Sequence, residues 1–164
     1  MAAAALSRWG NAEALAYLRE MVQSDDPDVA KIAAWVLGFV GDQSDVAVLK
    51  AGVARFDDPD AKSFFVHALA GLKDPEGLAA LKANLTSEEV GVRTMAANFA
   101  GESGFVDARA TLIGLLSDEN LDVRVRAAQS LFMLAKPATK PVGVITNDPY
   151  PATAANPRYS EGDI

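Results

Sequence analysis

The chain has 164 residues, no cysteine, one histidine, and a net charge of −7 from 15 basic and 22 acidic side chains. These counts exclude a disulfide framework, a thiolate zinc site, a thiol nucleophile and any site built on two imidazoles. They also argue against a general nucleic-acid binder, whose affinity rests on neutralising phosphates.

Half the residues are apolar and 23% are charged, which suits a folded domain rather than a disordered chain. No apolar run approaches the ~18 residues that span a bilayer. Met1 to Leu6 is alanine-rich but lacks a basic n-region, so it is not read as a signal peptide. The compartment is unmarked.

In chain order, Leu6–Gly10 matches Leu37–Gly41 and is the remnant of a first unit. Leu18 and Val22 predict a helix. Asp28–Asp42 predicts the next, with Val29, Ala33, Val36, Leu37 and Val40 at helical spacing. Val46, Leu49 and Val53 mark a third, Asp60–Asp74 a fourth, and Leu78, Leu81 and Leu85 a fifth. Gly91–Gly104, then Leu112 and Leu116, then Asp122–Leu131 continue the alternation.

Every second segment repeats. The starts at 28, 60, 91 and 122 lie 32, 31 and 31 residues apart, and Leu18, Leu49, Leu81 and Leu112 lie 31, 32 and 31 apart. Each unit therefore reads as two helices. Asp28 after Pro27 and Asp60 after Pro59 place carboxylates at helix starts. Gly41 and Gly104 fall where a helix end turns left-handed. Asp57-Asp58 and Glu88-Glu89 read as caps.

Helix pairs that cannot bury both faces alone stack on their neighbours, giving an all-α solenoid of about four pairs. Residues 1–136 form it. From Pro137 to Ile164 the composition shifts, with five of the eight prolines in the last 28 residues, and this tail is read as extended or disordered. The stripe Val123, Ala127, Leu131 and Leu134 of the last helix is expected to lack a cover. Residues 138–146, with the apolar knot Val142–Ile145, are expected to pack on it.

The pattern Asp-x-x-Val/Arg-x-x-Ala-Ala-x-x-Leu-Gly, seen from Asp28 to Gly38 and from Asp122 to Leu131, resembles the HEAT-like repeat family. Its period of ~31 residues is shorter than the ~40–47 usual for HEAT repeats. It is closer to the compact variety named after phycobilin lyase subunits. The resemblance covers Leu6 to Ala135 and implies that second helices line a concave inner face. Asn156–Ile164 faintly resembles the start of a sialidase-like propeller domain, so an accessory role in a larger secreted enzyme is one alternative. A phycobilin lyase-like subunit is another.

No residue set carries catalysis. His67 lies in the column Trp35, His67, Asn98, Gln129 and reads as a polar residue at the edge of a helix interface. An iron enzyme built on HEAT-like repeats, deoxyhypusine hydroxylase, uses His-Glu pairs, and here Ala68 follows His67. Trp35 reads as packing, and Phe64-Phe65 as core plus a filled gap between repeats. No catalytic, cofactor-binding or metal-ligating residue is assigned.

The second helices offer the candidate binding face. Opposite the buried leucines lie Glu13, Ser44, Glu76 and Asp107, then Ala16, Ala47, Ala79 and Ala110, then Glu20, Ala51, Ala83 and Gly114. Tyr17 adds an aromatic, and Arg19, Lys50 and Lys82 flank the stripe. HEAT-like proteins related to DNA glycosylases bind DNA on a basic concave face, whereas this one is small and acidic. The expected function is non-catalytic: a scaffold binding a protein or peptide segment, not nucleic acid and not membrane.

Overall fold

The computed structural model describes residues 11–135. The readings for Met1–Gly10 and for the tail, including the packing of residues 138–146, lie outside them. Among the described residues the order is α1 (Ala12–Met21), α2 (Pro27–Val40), α3 (Val46–Arg55), α4 (Pro59–Gly71), α5 (Pro75–Asn84), α6 (Val90–Glu102), α7 (Arg109–Leu115) and α8 (Leu121–Ala135). Short 3-10 turns at Gln43–Asp45 and Val106–Ala108 lead into α3 and α7.

The helices start where carboxylate and amide side chains can take up orphan backbone N–H groups. Asp26 accepts from Asp28 N at 2.9 Å, Asp58 from Ala61 N at 2.8 Å, Asp74 from Gly77 N at 2.9 Å and Asn120 from Asp122 N at 2.9 Å. Pro27, Pro59 and Pro75 open their helices, where a missing N–H costs nothing. Glu89 departs from expectation. It holds the cap position of α6, but its side chain makes no capping bond.

Gly104 turns left-handed at φ +63°, as expected. Gly41 does not, since its backbone is extended. Glycine is needed there for room: a Cβ would lie 2.6 Å from the Leu37 carbonyl oxygen and 2.7 Å from Asp45 Oδ2. The other left-handed residue is Lys73, whose ammonium donates to the Ser103 carbonyl of the next repeat.

Consecutive first helices (α2, α4, α6, α8) pack side by side, and each second helix packs on the first helix that follows it. This corrects the expectation for α8. Its Val123 and Ala127 are fully buried, and Leu131 and Leu134 are half-buried in the core that α6 and α7 supply. The second helix of the preceding unit is the cover. The exposed apolar residues of α8 are instead Leu121, Val125 and Phe132. Leu116, aligned with the buried Val22 and Leu85, is also exposed, because among the described residues no helix follows α8 to continue the stack.

The core forms two adjoining clusters. Leu18, Val22, Leu37, Leu49, Phe65 and Leu69 build one, and Val66, Leu81, Leu85, Phe99, Leu112 and Ala127 the other. Trp35 and Val53 touch both. Each buried leucine or phenylalanine contributes about 1.5–3 kcal/mol. Val29, expected in the α2 stripe, is exposed, because Ala30 and Ala34 take that face.

Two seams between first helices are tight. A Cβ on Gly38 would stand 2.8 Å from Ala68 Cα, and one on Gly101 would strike Ser130. Ser130 Oγ is fixed there, donating to the Ala97 carbonyl while accepting from Gly101 N at 3.1 Å. Between α4 and α6 the corresponding residues are Ala70 and Phe99, and these helices stand further apart. Replacing Gly101 with valine should cost about 1–3 kcal/mol in urea denaturation through overpacking. An unchanged midpoint would show that the seam yields freely.

Candidate interaction face

The buried side of each second helix is set by one leucine per unit: Leu18, Leu49, Leu81 and Leu112 all lie in the core. One helical half-turn away, Ala16, Ala47, Ala79 and Ala110 are all exposed. Glu13, Tyr17, Glu20, Ala51, Glu76, Lys82, Ala83 and Asp107 share this exposed side. Lys50 differs, being half-buried.

Its state follows from a ladder of ion pairs running from each second helix to the start of the next. Arg19 Nε donates to Asp45 Oδ1 at 2.7 Å, and its Nη2 reaches Asp42 Oδ2 at 3.2 Å. One unit on, Lys50 Nζ lies 3.1 Å from Asp74 Oδ2 and 3.0 Å from Glu76 Oε1. The hydrogen bond to Asp45 raises the Arg19 pKa, and those to Glu76 and Asp74 raise that of Lys50. Burial pushes the Asp74 carboxyl up, but bonds from Gly77 and Lys50 outweigh it and hold the group below the usual carboxylate range.

The ladder stops at Lys82, because Phe105 stands where Asp42 and Asp74 stand in earlier units; no ion pair is formed by Lys82 among the described residues. Lys50 and Glu76 thus serve mainly to join α3 to α5. A hollow of about 210 Å³ lies between these helices, with Lys50 and Glu76 at its rim and Val53 and Leu69 below.

The column through the first helices is more than packing. His67 is fully buried rather than at an edge. The wide α4–α6 seam encloses it: its ring stacks on Phe99 at 4.2 Å and meets Phe39 at 5.4 Å. Neither ring nitrogen has a hydrogen-bond partner, and the nearest carboxylate oxygen, Glu102 Oε2, is 3.6 Å from Nε2. Burial lowers the His67 pKa to about 4.

Glu102 already accepts from Trp35 Nε1 at 3.2 Å and Asn98 Nδ2 at 2.9 Å. Trp35, His67 and Asn98 therefore meet at one carboxylate that no column of equivalent residues contains, while Gln129 is exposed. Phe65 is core and Phe64 fills the seam edge-on to Phe99 at 5.3 Å, as expected. Among the described residues no group of three His, Cys, Asp or Glu side chains could hold a metal ion. No helix there is long and apolar enough to cross a membrane.

Helix pairs stacked in chain order, each unit burying its apolar stripe on the next, define an α-solenoid repeat protein. A family model for HEAT repeats matches residues 1–63 and 54–131, and the chain belongs to the HEAT-repeat family. No curated protein matches the sequence closely enough to count as a relative. HEAT repeats commonly mediate protein–protein interaction or scaffolding, and their fold is typically non-catalytic.

Proposed function

We propose that this chain is a non-catalytic interaction module that seats a segment of a partner polypeptide along the exposed face of α1, α3, α5 and α7. The observation that carries this reading is the exposure, in register, of Ala16, Ala47, Ala79 and Ala110. Alanine there leaves the backbone approachable, and the hollow between α3 and α5 offers room for a side chain. The acidic residues Glu13, Glu20 and Asp107 disfavour nucleic acid on this face. The spacing of 32, 31 and 31 residues supports assigning the units to the compact, phycobilin lyase-type repeat.

A photo-cross-linking residue at Ala47 or Ala79 tests the site in cells. Discrete adducts of the same mass are expected from both positions, and none from Gln129 on the far side. Adducts that are absent, or equal at all three positions, would overturn the reading. Ala47→Arg with Ala79→Arg should leave the helical circular dichroism unchanged and abolish the adduct from a linker at Ala16.

A further inference from the structure

A second binding site lies at the opposite edge of the repeats, where three departures from the repeat coincide at the start of α6. In the α2–α4 seam, Lys31 Nζ bridges Asp28 of its own helix at 2.7 Å and Asp60 of α4 at 2.8 Å. One repeat on, the residues in the places of Lys31 and Asp60 are Ser63 and Gly91. Ser63 turns its hydroxyl back to the Pro59 carbonyl at 2.8 Å, and a Cβ on Gly91 would meet nothing within 4 Å. The third departure is Glu89, whose carboxylate does not cap α6.

The result is a groove of about 520 Å³ that runs from Asp60 and Ser63 over Gly91 to Asp122, with Val92 and Met95 in its lining. Asp58 is engaged in capping, and Asp60 is held by Lys31. Glu89 and Asp122 keep carboxylates that make no hydrogen bond or ion pair among the described residues. The arginines of the flanking helices do not neutralise them. Arg93 is bound to Asp118, and Arg124 to the Asp118 and Glu119 carbonyls.

We propose that this groove takes a lysine or arginine side chain from a partner polypeptide, standing where Lys31 stands in the preceding seam. An apolar lining with carboxylates at the rim matches a methylene stem that ends in a cation. It does not match a metal ion, since no three carboxylates converge there. The site shares no residue with the alanine face of the second helices.

The test is a ¹⁵N–¹H NMR titration of the full chain with the blocked peptide acetyl-Gly-Leu-Lys-Leu-Gly-amide and its Lys→Gln counterpart. The lysine peptide should give saturable shifts centred on the amides of Ser63, Gly91 and Thr94, and the glutamine peptide should bind at least tenfold more weakly. Gly91→Leu fills open space, so its spectrum away from the groove should superpose on that of the parent while binding drops tenfold or more. Glu89→Gln with Asp122→Asn should weaken binding as much while leaving the groove's shape unchanged. The absence of saturable shifts at millimolar peptide would overturn the proposal. So would shifts spread evenly over Asp25, Asp57 and Asp107 that survive Gly91→Leu, since these would mark general attraction to an acidic surface.

Discussion

Acidification from pH 6.5 to pH 4 should remove about 3 kcal/mol of folding stability through His67 alone. In the folded chain its pKa is lowered to about 4 by burial, while in the unfolded chain it returns to about 6.5. Between these values the unfolded state binds a proton that the native state refuses, so stability is complete above the unfolded pKa and falls as pH drops through the window. Each unit of difference is worth about 1.4 kcal/mol.

Glu102 does not rescue the cation, because it is 3.6 Å away and already accepts from Trp35 and Asn98. His67→Met removes the titrating group and two unpartnered nitrogens at similar volume, so at pH 7 it should fall within about 1 kcal/mol of the parent or above it. Urea denaturation of both proteins from pH 7 to pH 4 decides the matter. Carboxylates titrate equally in both, so the difference between the two curves isolates His67. Parallel curves would mean that its ring is hydrated in the folded state.

Phe65→Ala should be the most damaging single truncation, at about 3–5 kcal/mol. Phe65 is fully buried, packs on Phe56 at 5.7 Å between ring centroids, and lies directly against Gly52 of α3. The glycine makes the ring's place, since any Cβ there would overlap it. Gly52→Leu alone should therefore destabilise by about 1–3 kcal/mol through overpacking. In the double variant the leucine enters the hole left by the ring. The two costs should then fall short of their sum by about 0.5–3 kcal/mol, the range typical of contacting residues. Strict additivity in denaturation midpoints would show that the two residues do not share that space.

The repeat was legible because every unit solves the same burial problem with the same residues. Leu18, Leu49, Leu81 and Leu112 each close one layer of core, and their spacing sets the period and the exposed side together. Reading residues in columns, however, compares equivalent places and misses contacts between unlike ones. Glu102 belongs with Phe39, Gly71 and Met133, yet its partner Trp35 lies 67 residues away, two first helices off. The visible signal was a lone charge in an apolar column, next to a glycine that leaves the middle helix bare.

The stripe on α8 was misassigned for a related reason. Periodicity shows that a face is apolar, but not whether the preceding or the following helix covers it. Gly41 likewise looked like a turn residue, when packing against Asp45 was the actual constraint.

The bond from Trp35 to Glu102 has a mechanical consequence. A stack of helix pairs lengthens or shortens as neighbouring pairs tilt, much as a leaf spring does. Here one carboxylate reaches from α6 across α4 to α2, over a histidine wedged between rings. Tilting α6 away from α4 would have to break that bond and part His67 from Phe99. The three central first helices therefore move as a single stiff plate. The pitch of the alanines on the other side is fixed before any partner arrives, and little ordering entropy is left to lose on docking.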